Sequence, residues 1–238
     1  MNDTALTKIK DIVINSDHAV FFGGAGVSTE SGIPDFRGKD GLYSENPEYL
    51  LSLTCLKREP ERFFKFYRGM LYPDVLPNAA HTALAELEKR GIIKAVITQN
   101  IDGLHQKAGS KNVLELHGTT LRYHCCSCKK AFTSEYFTAL SDPVPRCDAC
   151  GGIVRPDIVL YEEPLDDDVF ERAEREVREA DVMIVGGSSL VVNPAAWLVR
   201  RFGGKHLIII NYSETPYDAF AEFVIRDSVG KVLGEIAK

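Results

Sequence analysis

Four cysteines carry the most specific chemical signal in the sequence: Cys125-x2-Cys128 and Cys147-x2-Cys150, with eighteen residues between the pairs. Each CxxC turn can present two thiolates to one tetrahedral ion, and the spacing is that of a zinc ribbon. Four thiolates complete the tetrahedron and leave no position for water or substrate. The expected single Zn2+ is therefore structural and not a Lewis acid. His124 and Cys126 adjoin the first pair but break its spacing, so both are expected outside the ligand shell.

A second constellation is spread over the ends of apolar runs. Gly23-Gly24-Ala25-Gly26-Val27-Ser28-Thr29 follows the run AVFF, where small residues let a backbone approach a pyrophosphate. The third glycine of GxGxxG is replaced by Thr29, so this loop alone is a weak dinucleotide signal and a plain glycine turn is an equal reading. Thr98-Gln99-Asn100-Ile101-Asp102 ends a second run and delivers amides and a carboxylate together. Gly186-Gly187-Ser188-Ser189 ends VMIV, and Asn211 ends LIII. Open α/β sheets bind ligands outside the carboxyl ends of their strands, and four such ends bearing small or polar groups point to one crevice.

The elements that must position these residues are short apolar runs alternating with helical patterns, the mark of a parallel sheet covered by helices on both faces. Strands are expected at Ala19 to Phe22, Ile92 to Thr98, Val113 to Leu116, Ile158 to Leu160, Val182 to Val185, Leu207 to Ile210 and Phe223 to Ile225. Ala80, Ala83, Leu84 and Leu87 form an amphipathic helical stripe that Gly91 should close. Two stretches interrupt the alternation: the aromatic-rich helical segment around PERFFKFYRGM, and the cysteine-bearing tract with Pro143, Pro145 and Gly151-Gly152. The expected organisation is a main domain of residues 1–34, 79–120 and 156–238, with a small domain of residues 35–78 and 121–155.

Composition bounds the function. Of 238 residues 45% are hydrophobic and 26% charged, and 28 Lys plus Arg against 34 Asp plus Glu give a net charge of -6. Such a chain has no general attraction for nucleic acid or anionic lipid, and a basic protein substrate suits its sign. The N-terminal residues show no secretory or membrane-spanning pattern, and paired CxxC cysteines suit a reducing compartment, so the cytoplasm is the expected address.

Taken in order, GAGVSTESGIPDFRG (residues 24–38), TQNIDGLHQKAGS (98–110), LELHG (114–118), the two CxxC pairs, RPDIV (155–159), GGSSLVVNPAA (186–196) and the strand into Asn211 resemble the sirtuins over nearly the whole chain. The resemblance implies a Rossmann-like domain, a small domain made of a helical module and a zinc module, and NAD in the cleft between them as a consumed co-substrate. It implies NAD-dependent protein lysine deacetylation, in which the acyl oxygen attacks C1' of the nicotinamide ribose. Nicotinamide, free lysine and O-acetyl-ADP-ribose are then the products.

His117 matches the family's general base, and an imidazole can accept a proton at neutral pH without strong tuning. Asn100 and Asp102 match the residues that hold nicotinamide, and Ile101 the residue that packs on its ring. Gln99 should face the nicotinamide ribose. Gly24, Ala25, Gly26 and Thr29 correspond to phosphate and ribose contacts, with Gly187, Ser188 and Ser189 opposite. Asp35, Phe36 and Arg37 match the family's cofactor loop. Asn211, Asp227 and Ser228 correspond to the adenosine end.

For an acetyl-lysine peptide, the resemblance implies a strand clamped between Val159 to Glu163 and Leu190 to Asn193, with Val159, Leu160, Tyr161, Val191 and Val192 in contact. One departure falls there: the family commonly shows Phe-Gly-Glu where this chain has Tyr161-Glu162-Glu163. Glu162 is expected to point to solvent, with attraction of basic peptide flanks as the other reading. Sirtuins that remove acidic acyl groups carry Tyr-x-x-Arg, but Tyr67 is followed here by Arg68 and then Met70, so acetyl is preferred and longer neutral chains are the alternative. Mono-ADP-ribosyl transfer is a second enzymatic reading, and a zinc-ribbon nucleic-acid binder a remote one. His18, His81, His105 and His206 are read as structural.

Overall fold

An apolar run without alternation is buried only if both faces of its sheet are covered. The runs AVFFG and VMIVG are buried at every position. The computed structural model describes residues 3–35 and 46–238, and it arranges their strands in two sheets. Strands β1 (Ala19–Gly23), β2 (Ile93–Thr98) and β3 (Val113–Glu115) precede β4 (Gly118–Cys125), β5 (Ala131–Thr133) and β6 (Val154–Ile158). β7 (Val182–Gly186), β8 (His206–Ile210) and β9 (Phe223–Ile225) follow.

The larger sheet has the order β3-β2-β1-β7-β8-β9, and every pairing in it is parallel. The chain winds outward from β1 in one direction, then returns to β7 on the other side. The strand order therefore reverses between β1 and β7, which opens a crevice at their carboxyl ends. Helices Asp3–Ile14, Ala79–Lys89 and Val229–Ala237 cover one face through Ile9, Val13, Leu84, Leu87, Val232 and Ile236. Helices Asp167–Glu179 and Trp197–Arg201 cover the other through Ala173, Val177 and Leu198.

The helix Ala79–Lys89 buries the stripe Ala80, Ala83, Leu84 and Leu87. Asn78 caps it by accepting from Ala80 N at 2.9 Å, and Gly91 ends it at φ +74° while donating to Glu88 O at 2.8 Å. This is the left-handed closure that favours glycine.

A separate core lies beneath the smaller antiparallel sheet, ordered β5-β4-β6. Phe63, Phe64 and Tyr67 from helix Pro60–Gly69 meet Tyr123 and Phe137 there. The Tyr123 and Phe137 rings stack at 4.3 Å, and the Tyr67 and Tyr123 hydroxyls lie 2.9 Å apart. The expected strand at Ile158 to Leu160 is corrected by this sheet. The strand is Val154–Ile158, it pairs antiparallel with β4, and it takes no part in the parallel sheet. Its Pro156 sits where the register with β4 shifts, a position that tolerates a residue without an N–H.

Candidate functional site

The loops at the β1/β7 switch point are locked by close backbone approach. Gly26 N donates to Gly187 O at 2.8 Å, and Gly24 N donates to Gly186 O at 3.2 Å. Gly187 has φ +57°, and a Cβ on it would lie 2.4 Å from Val27 N. The glycines thus let two strand-end loops touch, and the N–H groups of Gly24 and Gly26 are committed to that contact. Sequence reasoning placed those N–H groups toward a phosphate; the structure gives them to the β7 loop.

The neighbouring loop is fastened in the same way. Gln99 N donates to Gly23 O at 2.9 Å, and Asn100 N donates to Thr98 Oγ1 at 3.0 Å. Ser188 Oγ donates to Gln99 Oε1 at 2.7 Å, so the amide is oriented by the β7 loop. Ser28 holds the centre: its hydroxyl donates to Asp102 Oδ2 at 2.7 Å and accepts from Asn100 Nδ2 at 3.1 Å. Ser28 is buried and lines the cleft, yet sequence reasoning passed over it. Its signal was a serine within the turn that carries Ala25, Gly26 and Thr29.

His117 follows β3. Its Nδ1 lies 2.9 Å from Gln99 O. A carbonyl can only accept, so Nδ1 bears the proton and Nε2 is the basic nitrogen. Burial holds the His117 pKa below that of a free imidazole, partly opposed by the Gln99 hydrogen bond. The next residue, Gly118, has φ +73°, and a Cβ there would lie 2.1 Å from Asp157 O. Only glycine lets the chain pass from His117 into β4 against β6, a path also marked by the 2.9 Å bond from Val159 N to His117 O.

One cleft of about 1020 Å³ collects these groups. Gly24, Ala25, Gly26, Thr29, Asp35, Gln99, Asn100, Ile101, Asp102, His117, Gly187, Ser188, Ser189, Asn211 and Asp227 all line it. Phe36 and Arg37 lie outside the described residues. Ser228 is not among the lining residues. Its hydroxyl accepts from Lys231 N at 3.0 Å as a helix cap and donates to Glu30 Oε1 at 2.6 Å.

Val159, Leu160 and Tyr161 form one edge of the same cleft, and Val192 lines it as well; Val191 is exposed and is not a lining residue. Near the Tyr161 edge, Tyr67 is fully buried, and burial raises its pKa far above the usual phenol. Arg68 donates to Leu140 O and Asp142 O at 3.1 and 2.9 Å, so its guanidinium is engaged there. Glu162 is exposed, as expected, but its carboxylate is not free of the protein. Its Oε2 accepts from Thr54 N at 3.0 Å and Thr54 Oγ1 at 2.7 Å, because the first turn of helix Leu53–Arg58 offers donors there.

At the far end of the small sheet the sulfurs of Cys125, Cys128, Cys147 and Cys150 lie within 4.8 Å of one another. Cys125 and Cys150 are 3.4 Å apart, Cys128 and Cys147 3.7 Å. Zn–S bonds of about 2.3 Å give tetrahedral edges of about 3.8 Å, so the four thiolates fit one zinc ion. Cys126 N bonds Ile153 O, and Cys126 is not in the cluster. His124 faces Asp157 at 3.7 Å instead.

The structural histidines are placed as expected. His18 pairs with Glu176 and His206 with Glu222. His81 caps its helix through Asn78, and the His105 ring packs against the His81 ring, tilted by 58° with centroids 4.7 Å apart.

Comparison with known proteins agrees with this arrangement. Residues 24–194 match the model of the Sir2 family. A protein from Clostridium perfringens named NAD-dependent protein deacetylase is 54% identical over 242 residues, covering 98% of this chain and 99% of its own. One of the same name from Clostridium acetobutylicum is 55% identical over 235 residues, covering 96% of each chain. A solved Sir2 homologue–NAD complex is 44% identical with a TM-score of 0.89, covering 97% of this chain and 92% of that one. A Sir2–p53 peptide–NAD+ complex is 43% identical with a TM-score of 0.87, covering 96% and 95%. The chain belongs to the Sir2 family, the sirtuins.

Proposed function

We propose that this chain is an NAD-dependent protein lysine deacetylase. The observation that carries the reading is the placement of His117, its Nδ1 tied to Gln99 O, in the same cleft as the interlocked glycine loops and the Ser28–Asp102–Asn100 cluster. The full-length similarity to proteins named NAD-dependent protein deacetylase supports it.

Bound NAD supplies an electrophilic ribose carbon that the acyl oxygen can attack as nicotinamide departs. In our reading Ala25, Thr29, Ser188 and Ser189 meet its phosphates and ribose, with Asn211 and Asp227 at the adenosine end. Asn100, Ile101 and Asp102 bind the nicotinamide group, with Asn100 and Asp102 held in place by Ser28. His117 Nε2 removes a proton from a ribose hydroxyl, and Gln99 O keeps the opposite nitrogen protonated so that Nε2 stays basic. The acetyl-lysine peptide lies between the Val159–Tyr161 edge and Val192, adding its backbone as a strand.

We divide the chain into a nucleotide-binding domain (1–34, 79–120, 156–238) and a small domain (35–78, 121–155), supported by the separate core around Tyr67 and Phe137. β4 and β6 each cross that boundary by a few residues. No described helix is long and apolar enough to cross a membrane. Thiols grouped for a metal suit a reducing compartment, and we place the enzyme in the cytoplasm.

The test is nicotinamide release with NAD alone, acetyl-lysine peptide alone, and both. The reading requires release only with both present, and its loss in His117→Ala. ADP-ribose found covalently on protein in proportion to NAD consumed would favour ADP-ribosyl transfer instead.

A further inference from the structure

Glu162 stands at φ +76°. A non-glycine residue persists in this region only where its surroundings over-determine it, because the side chain crowds the backbone. At Glu162 the holding contacts are visible. One carboxylate oxygen takes both the N–H and the hydroxyl of Thr54. Thr54 lies in the first turn of helix Leu53–Arg58, whose N-terminal amides favour a negative partner.

Two backbone bonds flank this contact. Tyr161 N donates to Leu51 O at 3.0 Å, and Leu53 N donates to Tyr161 O at 3.1 Å. The cleft edge at Tyr161 is thus stitched to the helical segment by main chain and by the Glu162 side chain together. The following residue faces the other way: Glu163 receives Arg155 through both oxygens, at 2.6 and 2.8 Å, and also accepts from Leu160 N at 2.9 Å. Adjacent glutamates therefore hold the edge from two sides. Glu163 fastens it to the small sheet, and Glu162 fastens it to the helical segment.

We propose that Glu162 is a positioning residue for substrate: by gripping Thr54 it fixes the Tyr161 edge against which an acyl-lysine peptide is clamped, and it does not read charge on that peptide. The inference deepens the deacetylase reading and rests on it. Thr54 takes one of the two carboxylate oxygens with both of its donors, so a substitution that looks like a specificity change acts through geometry.

The test combines steady-state kinetics with hydrogen exchange on the full chain. In Glu162→Ala, loss of a charge-assisted contact should raise peptide KM about tenfold, by the same factor for peptides with basic and with acidic flanks. kcat and the KM for NAD should stay within about twofold, since neither the proton transfer nor the nucleotide loops are touched. Glu162→Gln keeps an acceptor oxygen at the same reach and should restore peptide KM to within about threefold. The amides of Tyr161 and Leu53 should exchange about tenfold faster in Glu162→Ala and near normally in Glu162→Gln.

Unchanged peptide KM, or a loss in Glu162→Gln confined to basic-flanked peptides, would overturn the proposal. If Glu162→Ala does not fold, Glu162→Asn tolerates the positive φ, is too short to keep the grip and is read in the same way. Failure of the deacetylase reading shows separately, as wild-type protein that frees no lysine. The exchange rates then decide the anchor alone, and unchanged rates would end it.

Discussion

The Nδ1 nitrogen of His117 lies 2.9 Å from the carbonyl oxygen of Gln99, and this contact sets the tautomer of the proposed base, while burial sets the direction of its pKa shift. Burial favours neutral imidazole, so the pKa lies below the ordinary value of about 6.5. The base works only when neutral. kcat/KM should therefore fall on the acid side with a midpoint below that of a free imidazole and level off at more alkaline pH, read from a pH–rate profile. His117→Ala should lower kcat about 10²–10⁴-fold, the usual range for a lost general base.

Ser28→Ala leaves Asp102 and Asn100 without their shared partner. Losing a hydrogen bond to a half-buried carboxylate costs about 1–3 kcal/mol, so kcat/KM should fall roughly ten- to a hundredfold. Full-length folding, judged by an unchanged far-ultraviolet spectrum, would locate the loss in the site.

Gly187→Ala puts a Cβ against Val27 N and Gly26 at a positive φ. The two strand-end loops must then separate. NAD affinity, measured by calorimetry, should fall at least about tenfold even in protein that still folds.

Metal removal should act on structure. A strong chelator should lower the melting temperature and expose the Tyr123–Phe137 core, and zinc should restore both. Cobalt in the site should give the absorption of a tetrahedral four-thiolate centre. A zinc content of one per chain would fit the four sulfurs.

His105 offers a second pH test. Burial lowers its pKa to about 3, and neither ring nitrogen has a partner among the described residues. The unfolded chain then binds more protons than the folded one below about pH 6.5. Stability contributed by keeping this ring neutral is complete above that pH and is lost progressively as pH falls toward 3, by up to about 1.4 kcal/mol per unit. His105→Phe should flatten the dependence of melting temperature on acid pH.

The parts of the fold legible in the sequence were those with unambiguous physical signals. AVFFG and VMIVG read as strands because burial on both faces removes alternation, and the Ala80–Leu87 stripe and Gly91 marked a helix and its end. β4 was missed because its exposed Leu121 and Arg122 interrupt any two-residue pattern. Ile158 to Leu160 was given to the parallel sheet because an apolar run does not reveal its partner. In the site, the cysteine spacing and His117 were readable as chemistry. Ser28 was not, since a buried serine differs from an exposed one only through the residues that long-range folding brings to it. Glu162 was seen as a departure, but its partner Thr54 is 108 residues away.

The most direct test of the central claim is mass spectrometry of an acetyl-lysine peptide incubated with the protein, with and without NAD. Deacetylated peptide, nicotinamide and O-acetyl-ADP-ribose should form in equal amounts, and only with NAD. Peptide left acetylated while NAD is neither bound nor consumed would contradict it.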